Sequence, residues 1–139
     1  MDDAIARTTE LDLNRFRLRK FIDSQIGTGE VDVIEDPRPL IDLARHMDGN
    51  KRAVLFRKAG PGAVELVGNV IGDERLGAAF GTSRQKLPQE VMRRLGTPQD
   101  IVEIASDEAP IHQVKLTGDN ADLTKLPAHL QHACDGGPY

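Results

Sequence analysis

The sequence predicts an α+β domain built on a mainly antiparallel sheet with flanking helices, and three observations carry that expectation. Two β-rich runs, Ala53 to Arg57 and Val64 to Val70, flank the turn formers Gly60, Pro61 and Gly62, which is the pattern of a hairpin. Apolar residues recur at three and four positions on both sides of that hairpin, as amphipathic helices require. Helical and strand segments interleave without a strict strand–helix–strand rhythm, and no period of about 20 to 50 residues repeats, which sets solenoids aside.

The first helix is expected in "LNRFRLRKFIDSQIGTGE", where Leu18, Phe21, Ile22 and Ile26 share a face and Gly27 and Gly29 offer a stop. Its other face is a basic stripe of Arg15, Arg19 and Lys20. Val31 and Val33 alternate with Asp32 in a short strand that Pro37 and Pro39 end. Helical spacing returns at Leu40, Leu43, Ala44 and Met47, with Gly49 as terminator. After the hairpin, Asp73 is the expected N-cap of "ERLGAAFG", which places Leu76, Ala79 and Phe80 on one face and closes at Gly81. Pro88 suits the first turn of a further helix through Val91 and Leu95, stopped by Gly96. The β-branched content of "IHQVKLTG", with Ile111, Val114 and Leu116, favours a strand, and the tail from Asp119 reads as irregular.

With 139 residues, 39% hydrophobic and 29% charged, and a net charge of −4, the composition is that of one folded, soluble domain. Aromatic residues make up only 4%, so aliphatic side chains must fill the core. Apolar runs such as "AVLF" fall far short of the roughly 20 residues a membrane span needs, and the acidic N-terminus carries no signal-peptide pattern. The expected location is cytoplasmic, without a membrane partner. Cys134 is the only cysteine, which fits a reducing compartment and excludes an intrachain disulfide. The acidic balance argues against a nucleic-acid partner, since that affinity comes from Lys and Arg on phosphates. The stripe of Arg15, Arg19 and Lys20 then reads as a solvated helix face.

Three features invite chemistry. "GNVIGDERLGAAFG" joins a strand to a helix, yet Gly68, Gly72 and Gly77 match neither a Walker loop nor a dinucleotide loop, so it reads as a turn with packing and capping glycines. His129, His132, Cys134 and Asp135 are ligand types for zinc, but their cramped spacing lacks two separated ligand pairs. Cys134 as a nucleophile would need a base, and His132 beside it has no assignable orienting group. No catalytic residue and no metal ligand is assigned from these residues, and cofactor-binding residues stay unassigned.

Taken as a series, "LRKFID", "GEVDVI", "AVLFRKAG", "ELVGNVIG", "LGAAFG", "KLTGDNADLTKLP" and "DGGPY" resemble the N-terminal part of the UbiD-like (de)carboxylase family, from Leu18 to Tyr139. The most specific piece is "TGDNADLTKLP" followed closely by "DGGPY". The resemblance implies residues 1–127 as an α+β N-terminal domain and residues 128–139 as a linker toward a flavin-binding split barrel. It implies an enzyme that uses prenylated FMN, with a divalent metal (manganese) and potassium, to remove or add carbon dioxide on an aromatic, heteroaromatic or α,β-unsaturated acid, as a homo-oligomer. The family's proton-transferring Arg and Glu residues and its metal ligands lie beyond this motif, so none is carried onto this chain. In that reading Tyr139 is a cut, and the piece alone is inactive. The alternative is a noncatalytic accessory subunit that docks on a full-length decarboxylase.

Overall fold

Four consecutive residues, Ala53, Val54, Leu55 and Phe56, are all buried. A strand presents alternate side chains to opposite faces, so such a run requires cover on both sides of a sheet. A computed structural model of the chain, which describes residues 17–98, 101, 103–122, 125–128, 134 and 136, supplies that cover. The strands are β1 (Val31–Ile34), β2 (Ala53–Ala59) and β3 (Val64–Gly68), in the order β1-β2-β3. The first helix, α1 (Leu18–Gly27), lies over one face, where Ile22 meets Val31, Ala53 and Leu55. The second, α2 (Leu43–Met47), follows a 3-10 turn at Leu40–Asp42 and lies over the other, where Leu43 meets Val54, Phe56 and Ala59.

The α+β class with flanking helices is as the sequence predicts, but the sheet is mixed. β2 and β3 form the expected antiparallel hairpin, whereas β1 pairs with β2 in parallel, from Val31 opposite Ala53 to Ile34 opposite Phe56. Parallel neighbours need a crossover connection, and the segment carrying α2 is that crossover. The line of β1 resumes briefly after Pro37. Arg38 N–H donates to Lys58 O at 2.9 Å, and Gly60 N–H donates to Arg38 O at 2.8 Å. Gly60 is required twice over at the hairpin turn: its φ is +65°, and a Cβ there would stand 2.8 Å from Leu40 Cδ2.

Beyond the sheet, α3 (Asp73–Ala79) begins one residue earlier than expected, with Gly72 in extended conformation as N-cap and Asp73 as the first helical residue. A 3-10 turn at Arg84–Lys86 leads into α4 (Leu87–Leu95), which carries Pro88 in its first turn as foreseen. Arg94 ties α4 back to α3: its Nη2 donates to Phe80 O at 2.8 Å, and its guanidinium lies 4.9 Å from the Phe80 ring centroid. The other side of α4 is open, with Met92 and Leu95 exposed.

The strand expected at Ile111–Leu116 does not form. A 3-10 turn covers Pro110–His112 instead, and Ile111, Val114 and Leu116 are 82%, 76% and 61% exposed. β-Branched content suits a strand only where another strand is there to pair with, and among the described residues none pairs with this segment. Gly118–Asn120 adds one more 3-10 turn to the irregular tail. Among the described residues, no helix is long and apolar enough to cross a membrane.

Two predictions follow from this packing. Phe56 is fully buried at the centre of the sheet, so Phe56→Ala is expected to cost about 3 to 5 kcal/mol in urea denaturation, whereas a change at exposed Met92 costs little. On α4, the Arg93 guanidinium and then that of Arg94 hold the Glu90 carboxyl down to about 2. A carboxylate depressed in the fold lends its support above the ordinary carboxylate range and loses it as pH falls toward that value. A Glu90 side-chain NMR titration is therefore expected to show a midpoint near 2, moving up in Arg93→Ala.

Candidate functional site

An open cleft of about 1180 Å³ lies where the loop from α2 to β2 faces the turn from β3 into α3. Its construction begins with a residue that composition gives no reason to expect indoors: Arg75, in the first turn of α3, is only 2% exposed. Burying a guanidinium is costly unless its donors are matched, and here each of the five N–H groups has an acceptor. Nε donates to Val70 O at 3.2 Å, and Nη2 donates to Lys51 O and Asn69 O, both at 2.9 Å. Nη1 donates to the Glu30 carboxylate at 3.0 Å and to Glu30 O at 3.4 Å.

A second layer of amides shapes the wall. Asn69 takes a left-handed φ of +52°, a conformation asparagine tolerates better than most residues, and aims its Nδ2 at Met47 O and Asn50 O at 2.7 and 3.1 Å. Asn50 Nδ2 donates to Asp32 Oδ2 at 3.0 Å, while its Oδ1 accepts from Arg52 N–H at 2.9 Å. Arg52 closes the circuit with a 3.0 Å ion pair to Asp32. The α2–β2 loop is thereby held against both β1 and the exit of β3.

The glycine-rich stretch is the strand-to-helix turn read from the sequence. A Cβ on Gly77 would meet Arg84 N and Thr82 O at 2.9 Å, so this glycine permits close packing of α3 on the 3-10 turn that follows. Of the basic stripe, Arg19 pairs with Glu65 of β3 at 3.0 Å, Lys20 is exposed and Arg15 lies outside the described residues. His129, His132 and Asp135 also lie outside them, while Cys134 is an exposed free thiol. Among the described residues, no three His, Cys, Asp or Glu side chains converge as metal ligands would.

Sequence reasoning passed over Arg75, Asn69 and Asn50, the residues that build the cleft. A faint signal existed for one of them: an Asn directly after a strand-ending glycine is a common occupant of a left-handed corner. Nothing local distinguishes Arg75 from a surface arginine.

No family model matches the chain. A curated protein of Rhodospirillum rubrum, described as an uncharacterized protein in the cooM 5' region, is 36% identical over 110 residues, which cover 75% of this chain and 23% of that protein. The chain thus spans about a quarter of the length of the relative it matches.

Because Arg75 joins three separate backbone segments, Arg75→Ala is expected to destabilise the fold by about 2 to 4 kcal/mol in denaturant titrations. Arg75→Lys should recover only part, since one ammonium cannot reach acceptors spread around a planar fork. Glu30→Gln, on a side chain one-third exposed, should cost about 1 kcal/mol or less.

Proposed function

We propose that this chain is the N-terminal α+β domain of a UbiD-like, prenylated-FMN-dependent (de)carboxylase acting on an aromatic, heteroaromatic or α,β-unsaturated acid. The observation that carries the reading is the ordered series of motifs ending in "TGDNADLTKLP" and "DGGPY". Its support from the fold is indirect: "GEVDVI" runs into β1, "AVLFRKAG" is β2 with its turn, "ELVGNVIG" is β3 with the cleft wall, and "LGAAFG" ends α3. Those four blocks lie in or beside the sheet and α3, whereas the described residues of "KLTGDNADLTKLP" are largely exposed.

The described residues do not fit the flavin or its metal. Arg75, the buried cation beside the cleft among the described residues, has every N–H engaged by the protein. No ligand cluster offers itself to a divalent ion among those residues. The role assigned to this domain is therefore support for a catalytic region elsewhere. A second reading, a noncatalytic unit docking on a separate decarboxylase, is favoured by the exposed apolar side chains from Met92 to Leu126.

The test is a decarboxylation assay on two proteins: the polypeptide read from the natural gene and the 139-residue chain, each supplied with prenylated FMN, manganese and potassium. Carbon dioxide release from a panel of aromatic and unsaturated acids is expected for the first and not for the second. Turnover by the 139-residue chain, or neither flavin binding nor carbon dioxide release by the natural gene product, overturns the reading. Activity that appears only when the chain is added to a separate decarboxylase selects the accessory unit.

A further inference from the structure

Three methionines occur in the chain, and the two described ones, Met47 and Met92, stand in opposite settings. Met92 is 68% exposed on α4. Met47 is half-buried at the end of α2 and serves two surfaces at once. Its side chain packs against the cluster of Leu43, Val54, Phe56 and Ala59, and the residue also lines the cleft.

The Met47 sulfur has a specific seat. A Cβ on Gly68, the last residue of β3, would land on Met47 Sδ, so the glycine leaves the room that the thioether fills. The Met47 carbonyl is an anchor as well, accepting from Asn69 Nδ2 at 2.7 Å and from Asn50 N–H at 3.1 Å. Asn69 directly follows Gly68, so the sulfur and the carbonyl of one residue hold α2 to adjacent positions at the exit of β3.

A thioether suits that seat because it is apolar and adaptable, whereas a sulfoxide carries an additional oxygen that is a strong acceptor. Hydrogen peroxide is close to water in size and polarity and enters an open cleft as water does. The sulfur lone pair attacks one peroxide oxygen; an S–O bond forms as the O–O bond breaks, and the second oxygen takes the proton of the first and leaves as water. Sulfur loses two electrons and the peroxide gains them. Against the apolar cluster the new oxygen would be stripped of water, so the side chain must turn toward the cleft and withdraw from Gly68.

We propose that Met47 is a peroxide-responsive modification site, whose conversion to the sulfoxide frees the α2 end of the α2–β2 loop from the exit of β3 and opens the cleft wall. The sheet stays folded, because Arg75 still holds Lys51 O and Asn69 O and the α1 side of the sheet is untouched. Reduction of the sulfoxide by a dithiol-driven reductase, which returns the oxygen as water and leaves a disulfide in the reductant, restores the joint. The inference concerns no substrate and is independent of the decarboxylase reading.

The test uses the 139-residue chain with C134S, which removes the exposed thiol, in two versions, C134S/M92L and C134S/M47L. Both keep Met1, so they differ in which described methionine hydrogen peroxide can reach. Peptide mass spectrometry is expected to find sulfoxide at Met47 in the first. Relative to the same chain before treatment, its Asn50 amide should then exchange faster by about tenfold or more, as the loss of one or two hydrogen bonds would give. The Asn69 side-chain amide signals should shift, the amides of Val54, Leu55 and Phe56 should keep their protection, and a methionine sulfoxide reductase should reverse both changes. Treated C134S/M47L should show neither. A Met47 left unmodified in folded C134S under peroxide that converts Met92 overturns the proposal. So does a sulfoxide at Met47 that leaves Asn50 and Asn69 unchanged, or one that also strips protection from Val54 to Phe56, which is general unfolding rather than release of one joint.

Discussion

One buried guanidinium sets the relative position of the strands. β1 and β2 run parallel, and parallel strands have no tight turn to fix which residue faces which. Arg75 supplies part of that missing constraint. It holds Glu30 O, immediately before β1, and Lys51 O, two residues before β2, and the first paired residues are Val31 and Ala53. Ala53 N–H donating to Glu30 O at 3.1 Å completes the junction. The same side chain grips Asn69 O and Val70 O as the chain leaves β3. A one-residue slip of either strand would pull a carbonyl out of reach and turn the buried alternation inside out. Retaining a charge here costs desolvation, and its return is one register rather than several.

The two-faced sheet explains why that register matters. β2 sits in the centre, so its odd positions, Ala53 and Leu55, serve the α1 side while Val54 and Phe56 serve the α2 side. Each side is a small cluster, and neither is large enough to tolerate the exchange of its members for polar neighbours. The cleft is a by-product of the same geometry: the crossover loop and the exit of β3 meet at one end of the sheet, and the amides of Asn50 and Asn69 keep them apart at hydrogen-bond distances.

What the sequence made legible was local. The hairpin at Gly60, the helices at Leu18, Leu40 and Pro88, and the packing role of Gly77 all follow from periodicity and turn chemistry within a few residues. Parallel pairing was not legible, because β1 and β2 are chosen for each other across the whole α2 segment. Arg75 was hidden for the same reason, since its acceptors lie 5, 6, 24 and 45 residues away. Residues 111–116 misled in the opposite direction: their composition is that of a strand, but composition cannot report whether a partner edge is within reach. Candidate chemistry at the His/Cys cluster falls outside the described residues apart from Cys134.

The division of apolar surface along the chain carries the last step. From Ile22 to Ala59 the large apolar residues other than exposed Ile41 converge on the two clusters, whereas Met92, Leu95, Ile101, Ile104, Ile111, Val114, Leu116 and Leu126 are exposed. Eight such side chains in 35 residues of sequence is more than scattered surface apolarity, and burying them against a further surface would remove a substantial area from water. The first part of the chain thus closes on itself through Arg75 and its two clusters, while among the described residues the second leaves these apolar side chains exposed. Under the proposed reading that asymmetry has a use: a supporting lobe needs a fold that is secure before the contact forms, and a contact that is not used up in securing it.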